Sequence, residues 1–145
     1  MDHVHKWNEL LTTKLEPQLT DFATQLQTVE TTIQEYVELL HIITTLRSRP
    51  MPSSPIEAKI EHPIGSGNYV PALVPDTSKI FVDVGSESHV EMSLKEAEFA
   101  VKRRIIEFQN QREQLKADMT KLNKDIFIGM TTVRHLQELE DNQKK

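Results

Sequence analysis

Six histidines are the chain's best metal ligands and its best proton carriers near neutral pH, and their spacing serves neither use. His3 and His5 stand two apart, which places them on different faces of a helix rather than on one coordinating face. His41, His62, His89 and His135 are scattered without ligand spacing. Cysteine is absent, which removes disulfides, thiolate zinc sites and cysteine nucleophiles together. Gly65-Ser66-Gly67-Asn68 lacks the lysine and the following helix of a phosphate-cradling loop, and with only 4 glycines in the chain it reads as a turn. Lys102-Arg103-Arg104 could meet phosphate, but a net charge of −5, from 17 basic and 22 acidic residues, argues against a nucleic-acid-binding face. Carboxylates are many, yet none lies in an apolar hollow that would tune its pKa, and no nucleophile is matched with a base. The chain reads as non-enzymatic, with no metal and no cofactor.

The patterned elements then carry the argument. From Leu15 the apolar positions run Leu15, Leu19, Phe22, Leu26, Val29, Ile33, Tyr36, Leu40, Ile43. After the first step of four they alternate three and four, the seam of a helix packed along one stripe against another helix. Trp7, Leu11 and Leu15 precede it at steps of four, and Pro17 is expected to kink or break the helix. This first helix is placed at residues 3–47, and a proline-rich linker follows at 48–55. Ser93-Leu94-Lys95-Glu96 is a capping box that opens a second helix at 93–142. Its seam reads Ile105, Phe108, Arg112, Leu115, Met119, Leu122, Ile126, Gly129, Val133, Leu136. Packed antiparallel, with Leu46 beside Leu94, partners should have numbers summing to about 140. That register sets the acidic stretch from Glu16 to Glu38 against a basic one, Glu38 meeting Lys102 to Arg104 and Glu16 meeting Lys124.

Residues 56–92 read differently. Ile80, Val82 and Val84 alternate with Phe81 and Asp83 as in a half-buried strand, and Pro75-Asp76 signals a turn. Pro71 and Pro75 share parity, so their strand should bond through Val70, Ala72 and Val74. About four short strands in two hairpins are expected. Two hairpins cannot enclose a core, so Tyr69, Val70, Leu73, Val74, Ile80, Val82 and Val84 are read as an assembly surface, the sheet being completed by neighbouring subunits. Trp7 admits two readings. It closes the coiled coil over the space left by Gly129, or it forms an open apolar tip with Leu10, Leu11, Leu136 and Leu139.

The expected fold is α+β, a single domain over 1–145 in which two hairpins join the helices of a long antiparallel coiled coil. Helix, two hairpins, helix, with VPALVPDTSKIFVDVG at the centre and VEMSLKEAEFAVKRR entering the second helix, resembles the α class of prefoldin subunits. The likeness runs from Lys6 to Glu140, and departs from the family where Ser86-Glu87-Ser88-His89 replaces a second glycine and aromatic residues. It implies a hetero-hexamer with other α-class and β-class subunits, unfolded clients gripped at the coiled-coil tips, and a chaperonin as a further partner. A coiled-coil adapter acting as a transcription cofactor is the alternative. No apolar run approaches the roughly 18 residues that span a bilayer, and the start has no signal-peptide order, so no membrane role and a cytosolic or nuclear location are expected.

Overall fold

The computed structural model describes residues 2–51, 54–61 and 67–143. Helix α1 covers Asp2–Leu10, a π-helical turn Leu11–Leu15, helix α2 Glu16–Arg47 and helix α3 Leu94–Gln143. Between α2 and α3 lie β1 (Ile56–Glu61), β2 (Tyr69–Val74), β3 (Lys79–Gly85) and β4 (Ser88–Ser93). Strands pair antiparallel as β1–β2 and β3–β4, giving two separate hairpins. The α+β architecture expected from the sequence is the one observed.

Pro17 acts upstream of itself. It has no N–H, so the carbonyl of Thr13 loses its helical donor. The chain widens just before it, and the Glu16 N–H donates to Leu11 O, five residues back. The hydroxyls of Thr12 and Thr13 donate to Asn8 O and Glu9 O at 2.9 and 2.5 Å, giving those carbonyls added donors. The start of α3 is capped reciprocally. The Glu96 N–H donates to Ser93 Oγ at 3.2 Å, and the Ser93 N–H to Glu96 Oε2 at 3.0 Å.

The chain divides into two compact units. The coil unit holds residues 1–33 and 107–145. In it Leu11, Leu122, Ile126 and Val133 are buried against Val4, Leu15, Leu19 and Phe22, and Val29, Ile33 and Leu115 against Leu26 and Phe108. Gly129 has no side chain because Leu11 occupies the space, its Cδ2 lying 3.0 Å from where a Cβ would stand. Those two numbers sum to 140, the register expected from setting Leu46 beside Leu94.

The hairpin unit holds residues 34–106. Ile43, Val82, Ala97, Val101 and Ile105 form its buried cluster, with Tyr36, Leu39, Leu40, Ile80 and Met92 packed on it. Every seam residue named from the sequence, in both units, is buried or half-buried. Leu94, Ala97 and Val101 extend the second seam toward the hairpins.

At Lys102 and Glu38 the pairing departs from the expected scheme. Lys102 donates to Glu98 on its own helix at 2.6 Å, and Arg47 reaches the same carboxylate from α2. Glu38 instead accepts from Gln34 Nε2 at 3.1 Å.

Lys102 first, then Arg47, hold the Glu98 carboxyl below its ordinary value of about 4.5. A depressed folded pKa contributes stability that is present above the unfolded value and lost as pH falls through the folded one. Glu98→Gln should therefore lower the melting temperature at pH 7 and leave it almost unchanged near pH 3, as thermal circular dichroism at both pH values will show. Ser86 and Glu87, at the β3–β4 turn, have φ of 54° and 58°, a left-handed pair that ordinary side chains resist. Replacing them with Asn and Gly (S86N with E87G) should stabilise this hairpin by about 1 kcal/mol, read as slower amide exchange across β3 and β4.

Candidate interaction surfaces

Each strand has a partner on one side only among the described residues. In the first hairpin Ile56, Ala58 and Ile60 face Val74, Ala72 and Val70 across the ladder, and Glu57, Lys59 and Glu61 face Leu73, Pro71 and Tyr69. Pro71 has no donor, so the ladder's exchanged hydrogen bonds fall to the set that contains Val70, Ala72 and Val74. No residue of β1 or β2 is buried. Tyr69 is 63% exposed and Leu73 66%, while Ile60 and Val70 lie exposed on the other face. Apolar side chains thus stand open on both faces of this hairpin.

The second hairpin is anchored. Val82 is buried and Ile80 half-buried, whereas Val84 and Val90 are exposed. Phe81, pointing the opposite way from Val82, is 71% exposed. An open groove of about 260 Å³ lies between Glu35, Tyr36 and Leu39 of α2 and residues 80–83 of β3. Of the residues read as an assembly surface, Tyr69, Val70, Leu73 and Val84 are open, Val74 and Ile80 are partly covered, and Val82 belongs to the subunit's own core. Phe81 was not singled out from the sequence because strict alternation assigned its side of the strand to solvent.

The turns between strands are held by short polar contacts. The Ser78 N–H donates to Asp76 Oδ1 at 2.8 Å, the Asx turn expected at Pro75-Asp76, and this bond keeps the Asp76 carboxyl below its ordinary value. The Gly85 N–H donates to Asp83 Oδ1 at 2.8 Å beside a register shift at Val84. From the end of α2, Arg49 donates to Thr77 Oγ1 at 3.1 Å and to Ser54 Oγ at 2.9 Å. Thr77 is buried, so this clasp ties the helix end to the β2–β3 turn. Nothing in the local sequence pairs Arg49 with Thr77; their contact exists only in three dimensions.

In the coil unit, Leu11 is 4% exposed and Trp7 41%. The residue filling the space beside Gly129 is Leu11 rather than Trp7. Leu139 is exposed, and Leu10 and Leu136 are half-buried. Phe127, Ile128 and Met130 add exposed apolar surface that the seam pattern leaves outside the stripe. Of the six histidines, His62 lies outside the described residues, as do Gly65 and Ser66. Among the described residues no group of three or more His, Cys, Asp and Glu is placed to hold a metal ion, and no helix is long and apolar enough to cross a membrane.

Paired helices packed along a heptad seam, with two one-sided hairpins between them, define a coiled-coil subunit of the prefoldin type. A family model, Prefoldin subunit, matches residues 15–140, and the chain belongs to the prefoldin family. It is 23% identical to the Protein UXT homolog of Nematostella vectensis over 138 residues, 95% of this chain and 86% of that one. It is 29% identical to prefoldin subunit alpha of Methanosarcina acetivorans over 105 residues, 72% and 70% of the two chains. Its fold is similar to that of a chain in the filamentous PFD of Methanocaldococcus jannaschii, solved by cryo-electron microscopy. The TM-score is 0.66 at 18% identity, covering 84% of this chain and 97% of that one. The protein is a chaperone-like subunit of a family whose members assemble into oligomeric complexes and are non-enzymatic.

Proposed function

We propose that the chain is an α-class subunit of a hetero-hexameric prefoldin-like complex, working in the cytosol and nucleus. It joins other α-class and β-class subunits through its hairpins and holds unfolded or assembling client proteins, a chaperonin being a further partner. One observation carries this reading: no residue of strands β1 and β2 is buried, although Ile60, Tyr69, Val70 and Leu73 are apolar and exposed. An isolated two-stranded hairpin is marginal in water, and unpaired strand edges invite another chain. Client contact falls to the coil unit, where Trp7 and Leu139 are open and Leu10 and Leu136 partly so.

The adapter and transcription-cofactor reading has its own support. Phe99 and Ile106 are exposed and seven residues apart on α3, a face that a partner helix could read.

The assembly test avoids Val82, since a charge there would disrupt the subunit's own core. Tyr69→Lys with Leu73→Lys should abolish incorporation when the chain is co-expressed with α-class and β-class prefoldin subunits. Helical circular dichroism should stay within a few per cent of the parent, because neither side chain is covered. Incorporation at the parent level would sink the reading. For clients, Trp7→Ser with Leu139→Ser should leave assembly intact. It should reduce the complex's suppression of client aggregation by on the order of twofold, the loss of two exposed apolar contacts out of many. The adapter reading instead predicts loss of one partner with no change in client aggregation.

A further inference from the structure

Residues 3–15 bury little side-chain surface. In α1, His3, His5, Lys6, Trp7, Asn8 and Glu9 are exposed, and Val4 and Leu10 are only half-buried. Leu11 is the one fully buried side chain from His3 to Leu15. Its seat is the notch left by Gly129, where the missing Cβ would stand 3.0 Å from Leu11 Cδ2. Directly after Leu11 the backbone leaves α geometry for the π turn, and Pro17 then withholds a further hydrogen bond. A π turn beside a proline is a place where a helix can bend at low cost. On the other side of this contact, Ile126 and Val133 are buried, seven residues apart on one stripe of α3 that continues to half-buried Leu136.

We propose that residues 2–15 form a latch, hinged at the π turn and fastened by Leu11 in the Gly129 notch. Its opening bares Ile126 and Val133 as a continuous apolar stripe. The free energy of a local opening follows the apolar contact it breaks, and here residues 2–15 contribute one buried side chain, Leu11, with Val4 and Leu15 only half-buried beside it. Leu19 and Phe22 lie beyond Pro17 and stay on the stripe, so the latch opens without unzipping α2. Baring the stripe enlarges the surface available to an unfolded segment. That last step rests on the client-binding reading above.

The chain has no cysteine, so single cysteines report access without competition. In the full chain assembled with its partner subunits, Ile126→Cys and Val101→Cys are exposed to a thiol reagent, and labelling of each peptide is followed by mass spectrometry. Residue 126 should be labelled on the order of a hundredfold faster than the control at 101. Leu11→Ala should quicken labelling at 126 by at least about tenfold and leave 101 unchanged. Equal protection at the two positions, or no response to Leu11→Ala, overturns the latch.

A second variant fastens it. Leu11 Cγ lies 3.6 Å from where a Cβ on residue 129 would stand, which brings Leu11→Cys with Gly129→Cys near bridging distance. Oxidation should slow amide exchange over residues 2–15 and lower suppression of citrate synthase aggregation by the complex, and reduction should restore both. Suppression equal in the oxidised and reduced forms overturns the role of the bared stripe. Suppression absent in the parent complex as well removes the client-binding reading, and the latch is then judged by the labelling rates alone.

Discussion

A stripe of apolar side chains along a helix must be covered, and here that requirement organises both units. Helices α2 and α3 are 32 and 50 residues long in a chain whose mean hydropathy is −0.47, so their stability rests on packing along the stripe more than on propensity. In the coil unit the cover is helix on helix. In the hairpin unit the stripe also receives Ile80, Val82 and Met92, and through them the second hairpin is fixed to the helices. No described residue of the first hairpin belongs to that cluster. Its attachment includes the polar clasp of Arg49 on Thr77 and Ser54, at the turn and linker that flank it.

The seams were legible because burial on a helix is periodic, and Leu15 to Ile43 and Ile105 to Leu136 keep the period closely. The capping box at Ser93 and Glu96 was legible because both partners lie within one turn. Individual burial was less so. Val82 and Val84 have the same residue type and parity, yet Val82 is buried in the cluster on the helices while Val84, at the register shift, is exposed. Trp7 is the larger side chain, and one of its two readings placed it in the space at Gly129. Leu11 takes it because the register sets Leu11, four residues further on, opposite the notch. Pro17 announced a break without saying on which side the backbone would absorb it.

The same physics explains how the family can be recognised at low identity. A seam position asks for an apolar side chain of suitable volume, and Leu, Ile, Val, Phe and Met exchange there with modest loss. Twenty-three per cent identity over 138 residues, and 18% with a TM-score of 0.66, are what a fold specified by period and turn chemistry leaves behind. Turns are stricter. Gly85 has φ of 95°, which suits glycine, while Ser86 and Glu87 take left-handed angles with side chains attached.

The magnitudes set a condition on assembly. Among the described residues, Ile60, Tyr69, Leu73 and Phe81 are the most exposed large apolar side chains of the hairpins. Each is already partly covered, so burying the rest contributes roughly 1–2 kcal/mol, about 4–8 kcal/mol in all. Association costs on the order of 4–15 kcal/mol in lost freedom before any ordering of side chains. A neighbour that covered the first hairpin alone would recover Ile60, Tyr69 and Leu73, and one that covered the second alone would recover Phe81 with Val84 and Val90. Neither gain reliably exceeds the cost. Under the assembly reading, a lasting complex therefore requires both hairpins to be engaged together, each new neighbour making the next contact cheaper because the chain is already positioned. Removing the exposed apolar residues to make the subunit self-sufficient would also remove the drive to assemble, because solubility of the free chain and stability of the complex draw on the same side chains.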